Sequence, residues 1–190
     1  MSEYHCPNQL TPLSQWSLDL KVTSIDWRVV LCNMFQAVIT RTVTVITRNF
    51  KLIQFQYKLL MRITTCRYMR YNMKIVTDNA NCCLCNNALE TISHIYLQCP
   101  HTLDFVNILN DNIRLKIDHS YRDLNKKHYI ICNHDNPSIN YLNLVAKWYL
   151  SKQFQTGNKP CWRGFVKLLN LALTGDKPER KSSLEPVINS

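Results

Sequence analysis

Four potential metal ligands crowd into one short stretch: Cys82, Cys85, His94 and Cys99, spaced C-x2-C-x8-H-x4-C. A C-x2-C turn brings two thiolates to one ion, and His and Cys five residues apart lie on one side of a helical turn. The spacing therefore predicts a tetrahedral zinc knuckle in the middle of the chain. Cys83 offers an alternative first ligand by a one-residue shift; C-x2-C is the commoner knuckle, which ranks Cys82 first. With all four ligands from protein, no position is left for a catalytic water, so such a zinc is structural. His101 and the trio His128, Cys132 and His134 lack a partner pair and read as ordinary surface or core residues.

Nine cysteines among 190 residues are an odd count. Their crowding around the knuckle fits a reducing, intracellular compartment with a metal site better than a disulfide scaffold. The sequence does not distinguish cytoplasm from nucleus. The stretch Met1 to Pro12 has neither the basic start nor the apolar run of a signal peptide. The longest apolar run, Val29 to Ile39, is broken by Asn33 and Gln36 and falls short of a bilayer span. No membrane partner is expected.

Around the knuckle the periodicity is helical. Ser24 caps an expected helix with Ile25, Val29, Val30, Met34 and Val38 on its apolar stripe, and the β-branched stretch Val38 to Arg48 reads as strand or extended connector. Apolar positions 52, 55, 59, 63 and 66 predict an amphipathic helix from Asn49 onward, with a short helix over Arg67 to Lys74 after it. Further helices are expected over 103–117, 139–154 and 160–173. The fold class is thus all-α, with several amphipathic helices around a small CCHC insert. Its divisions are an N-terminal extension (1–23), a basic helical segment (24–77), the knuckle (78–101), a C-terminal helical segment (102–174) and a disordered tail (175–190).

Charge is distributed unevenly. From Trp27 to Thr77 there are nine basic residues and no acid. A one-sign field of that length attracts a polyanion, and nucleic acid is the usual one inside cells. Lys51, Lys58, Arg62, Arg67, Arg70 and Lys74 are the candidate phosphate contacts, with Phe50, Phe55, Tyr57, Tyr68 and Tyr71 interleaved among them. Lys58 and Arg62, four apart, are expected on one helix face.

The three glycines, at 157, 164 and 175, permit neither a P-loop nor a dinucleotide fingerprint. No two acids are adjacent, so the clustered carboxylates of polymerase or nuclease chemistry are not readable, and no Ser or Cys nucleophile has a partner motif. No enzymatic activity is expected.

Several segments together resemble the zinc-binding region that follows the reverse transcriptase domain in LINE-type non-LTR retrotransposon proteins. Phe55 to Arg62 (FQYKLLMR) is similar to that family's "FQYKLLHR" helix. Cys82-x2-Cys85, with Glu90-Thr91-Ile92-Ser93-His94-Ile95 and Gln98-Cys99-Pro100, resembles its "CxxC…ETxxHLFxxCP" knuckle. Trp16 to Trp27 resembles the preceding segment, and Ala146-Lys147-Trp148-Tyr149 its downstream "aKwyI" helix. The Trp often found after the last Cys is absent, with Phe105 nearby instead.

The resemblance implies a detached, non-catalytic part of a retrotransposon polyprotein that grips template RNA or target DNA. The alternative it leaves is a protein-interaction module docking on a reverse transcriptase domain or host partner.

Overall fold

A computed structural model describes residues 46–122, 126–132, 134–174, 176 and 178–189. The helix expected from Ser24 lies outside the described residues, as do all but the last three positions of the β-branched stretch. Among the described residues seven named α-helices follow in order: α1 (Phe50–Leu60), α2 (Arg67–Asn72), α3 (Pro100–Lys116), α4 (Lys126–Ile131), α5 (Pro137–Thr156), α6 (Trp162–Leu173) and α7 (Pro178–Ile188). A π-helical turn, His94–Gln98, precedes α3. The chain is all-α: among the described residues the only extended pairing is an isolated antiparallel bridge between Asn81 and Leu89. No helix among them is long and apolar enough to cross a membrane.

Helix α5 is the axis of the packing. Asn136 caps its start, the side chain accepting from Ser138 N at 2.9 Å, and Pro137 takes the first-turn position where a missing N–H costs nothing. Its end falls at Gly157, whose φ of 70° is left-handed. Between these stops, Ile139, Tyr141, Leu142, Leu144, Val145, Ala146 and Leu150 are all fully buried, on every side of the helix. Helices α1, α4, α6 and α7 and the π-turn all touch it. Phe105 of α3, Tyr149 of α5 and Phe165 of α6 form an aromatic knot, with centroids 5.4, 5.5 and 6.0 Å apart. Gly164 is needed there, since a Cβ at that position would sit 2.6 Å from the Tyr149 hydroxyl.

A lysine is enclosed in this core. Lys147 on α5 has zero exposure. Its Nζ donates to Gln56 Oε1 of α1 at 2.8 Å, to the Ile130 carbonyl of α4 at 2.7 Å and to Cys132 Sγ at 3.0 Å. An ammonium has three donors, and here each has an acceptor. Gln56 Nε2 donates to the same Ile130 carbonyl at 2.8 Å, so α1, α4 and α5 are pinned at one point. Burial pulls the Lys147 pKa down, and the neighbouring Cys132 opposes that. Cys132 belongs to this cluster.

Helix α1 is shorter than its apolar pattern implies. Asn49 caps it, accepting from Lys51 N at 3.1 Å, and Leu52, Phe55 and Leu59 turn inward as expected. It then stops at Leu60, and Arg62 takes a left-handed φ of 55°. Arg62 N donates to Leu59 O at 3.0 Å and Ile63 N to Lys58 O at 2.9 Å, the paired bonds of a Schellman stop. Helix α2 ends the same way at Lys74, with φ 57°. Lys58 and Arg62 consequently do not share a helix face. Ile63, expected on the apolar stripe, is exposed.

The tail also differs from expectation. Residues 175–190, read as disordered from their Pro and Ser content, include helix α7, which packs on α3, α5 and α6. Leu184 and Val187, three apart, are both fully buried. Asp176 joins in: its carboxylate accepts from the Thr47 hydroxyl and from Arg48 N. One short apolar pair, hidden in polar composition, suffices to dock the segment.

Leu184→Ala should therefore lower unfolding free energy by about 2–5 kcal/mol in a urea titration, the range for deleting a large buried side chain. A dangling tail would give no change.

Candidate metal centre

The knuckle is built from backbone first. Cys82 N donates to Ala88 O at 2.8 Å and Glu90 N to Ala80 O at 2.9 Å, closing a short loop over residues 80–90. Within it Asn86 N returns to Cys82 O at 3.0 Å, and Asn86 takes the left-handed φ of 55° that the tight turn needs. This places the Cys82 and Cys85 thiols side by side.

The second ligand pair comes from the π-turn. In a regular α-helix, residues five apart point roughly 140° away from each other. Here Cys99 N donates to His94 O at 2.8 Å, a five-residue ring that widens the turn and brings both side chains to one face. Thr91 starts the turn, its hydroxyl accepting from His94 N at 3.1 Å, and Thr102 Oγ1 satisfies the freed Ile95 carbonyl at 2.7 Å.

The four ligand atoms lie within 4.8 Å of one another. Cys82 Sγ is 3.9 Å from Cys99 Sγ, and Cys85 Sγ is 3.3 Å from His94 Nε2. An ion bonded tetrahedrally to sulfur at about 2.3 Å and to nitrogen at about 2.0–2.1 Å sets ligand separations of about 3.5–3.8 Å. The set fits one metal ion. Cys82 and Cys99 have no exposure and His94 has 4%, while Cys85 is half-buried. Of the two candidate first ligands, Cys82 faces the other three. Cys83 turns away, its thiol donating to Phe154 O at 3.4 Å.

Burial pushes the Cys82 thiol up to about 12, raises Cys99 and lowers His94. Cys85 falls below the ordinary thiol value. Burial opposes that shift, but the Asn87 and Ala88 backbone and the Cys82 and Cys99 thiols outweigh it. Cys85 is thus both the most open ligand and the readiest to ionise.

Glu90 is the residue whose role spacing alone could not reveal. It is 4% exposed, and its carboxylate accepts from Arg67 N at 2.8 Å and from Cys83 N at 3.2 Å. It thereby bolts the knuckle to the first turn of α2, where an anion also complements the helix dipole. The Glu-Thr-x-x-His string now has a physical meaning: Glu90 anchors, Thr91 caps and His94 turns its ring toward the cysteine thiols.

The six basic residues singled out from sequence are not equivalent. Lys51, Lys58, Arg70 and Lys74 are exposed. Arg67 is engaged by Asp78 at 2.8 Å and by the Asn79 carbonyl at 3.0 Å. Arg62 turns toward the knuckle, donating to Ser93 Oγ at 3.2 Å. Of the interleaved rings, Phe50, Tyr57, Tyr68 and Tyr71 are exposed and Phe55 is core. Compared with protein-family models, with curated proteins and with solved structures, the chain matches none.

Elemental analysis of protein purified without chelator should find about one metal ion per chain, lost in Cys99→Ala and Cys82→Ser and kept in Cys83→Ser. Loss from Cys83→Ser alone would shift the register by one. Because thiols must ionise to ligate, and burial keeps Cys82 and Cys99 protonated at neutral pH, metal loading at pH 7 should release protons into a weakly buffered indicator solution. Apparent affinity should rise with pH. Loading without proton release would contradict the assignment.

Proposed function

We propose that the chain is a non-catalytic nucleic-acid-binding module whose fold is fixed by one structural zinc and whose basic helical segment grips RNA or DNA. The donor set supports zinc: three thiolates and an imidazole suit a tetrahedral ion, and four protein ligands close the site to a reacting water. In apparent binding free energy such a zinc contributes on the order of ten kcal/mol.

The observation that carries the nucleic-acid reading is the run from Trp27 to Thr77, with nine bases and no acid. Within it Lys51, Lys58, Arg70 and Lys74 lie exposed. Resemblance of the knuckle and its flanking helices to the region following a retrotransposon reverse transcriptase domain points the same way. A second reading is favoured by Met73 and Ile75, 60% and 62% exposed beyond α2. Apolar side chains left open in this way suit docking on a polymerase domain or a host protein.

A salt series separates the two. Affinity for single-stranded RNA should fall steeply as salt rises, and Lys51→Gln/Lys58→Gln should weaken it for every sequence while lowering the log–log slope by about one to two units, with metal content unchanged. Weak, salt-indifferent binding by the parent protein would favour docking.

A further inference from the structure

A cleft of about 410 Å³ opens where α1 lies along α5. Its walls carry Lys51, Gln54 and Lys58 from α1, and Trp148, Lys152 and Gln155 from α5. No carboxylate among the described residues lines it. The lysines and both glutamines are exposed, and Trp148 is half-buried. Lys152 Nζ stands 4.1 Å from the centroid of the Trp148 ring. A smaller hollow shares Thr64, Thr65, Ser151 and Gln155 with the cleft and continues to Arg67 and Arg70. Its one acid, Glu90, is already held by Arg67 N and Cys83 N.

We propose that this cleft is a single-strand channel, in which Lys51, Lys58 and Lys152 meet successive phosphates and one base stacks on Trp148. The inference rests on the nucleic-acid reading above and gives it a place and a strand state. Three observations carry it. The positive charge is contributed by two helices far apart in sequence, and Lys152 lies outside the basic segment altogether, so the cleft is basic by convergence and not merely because one helix face is.

The ring is also placed where a base would need it. A phosphate entering the cleft draws Lys152 off the indole and frees that face for stacking, the pairing of cation and aromatic platform that sequence-tolerant single-strand sites use. Finally, the cleft is pocket-sized, enough for one nucleotide with its neighbours' phosphates meeting the exposed lysines at the rim, and it does not take in a duplex. Gln54 and Gln155, with amides that both donate and accept, can meet any base edge without selecting one.

The test titrates the full-length zinc-loaded protein with fluorescein-labelled oligo(U) and oligo(dT) of about fifteen nucleotides. Lys58→Gln/Lys152→Gln should bind about tenfold or more weakly at low salt, with a slope reduced by about 1.4, which is two single-strand phosphates. Arg163→Gln/Lys167→Gln, exposed bases on α6, should bind like the parent. Intrinsic tryptophan fluorescence should fall on binding in the parent and not in Trp148→Phe, which keeps a ring and avoids an unfolded variant. Unlabelled duplex of equal length should compete poorly.

If the parent binds but the α6 pair loses as much as the cleft pair, the affinity is diffuse and the channel is overturned while the functional reading stands. Persistence of the fluorescence fall in Trp148→Phe, or duplex competing as well as single strand, also overturns it. Failure of the parent to bind either oligonucleotide overturns both.

Discussion

A buried ammonium sets the terms for the rest of the packing. Lys147 lies in the most enclosed helix, and leaving any of its donors without a partner would cost about 1–3 kcal/mol. Its acceptors come from three different places: an α1 side chain, the last turn of α4 and the residue after it. Satisfying them fixes how α1 and α4 approach α5, because a carbonyl or a glutamine oxygen a few tenths of an ångström out of place is no longer a hydrogen bond. The cleft between α1 and α5 inherits its shape from that pin, since Gln56 faces Lys147 while its neighbours on the opposite side of α1 face the cleft.

The metal centre solves a separate problem. Ile92, Ile95, Tyr96 and Leu97 seat this stretch on the core, while the loop and π-turn bring three cysteines and a histidine together through backbone bonds. The π-turn is the device that reconciles a five-residue spacing with a shared face. Glu90 then ties the loop that carries Cys82 and Cys85 to α2 through its carboxylate, beside the apolar contact that Cys66 and Met69 make with the core.

What could be read in advance follows from the kind of signal involved. Helices α3, α5 and α6 were legible because their apolar residues recur at three and four and their ends carry Pro or Gly. The candidate metal group was legible from its spacing, except that spacing ranked Cys82 above Cys83 without separating them; the fold brings Cys82 to the other three. The end of α1 was not, because the left-handed stop falls on Arg62 where a glycine would have announced it. Helix α4 offered too short a pattern, and α7 showed only Leu184 and Val187 amid polar residues. Burial of Lys147 ran against the ordinary expectation for a lysine. The cleft was invisible for a topological reason: its walls are nearly a hundred residues apart.

That separation has a consequence in time. Gln56 and Lys147, the residues that pin α1 to α5, are 91 positions apart, so during synthesis at about 5–20 residues per second the partner of α1 emerges roughly 5 to 18 s after it. Cys82 and Cys99 are only 17 apart, an interval of about 1 to 3 s at the same rate. The knuckle can close while Leu52, Phe55 and Leu59 still face water. Between the emergence of Cys99 and that of Lys147, about a quarter of the chain, the segment that could hold a metal can thus take its shape while the apolar stripe of α1 still awaits α5.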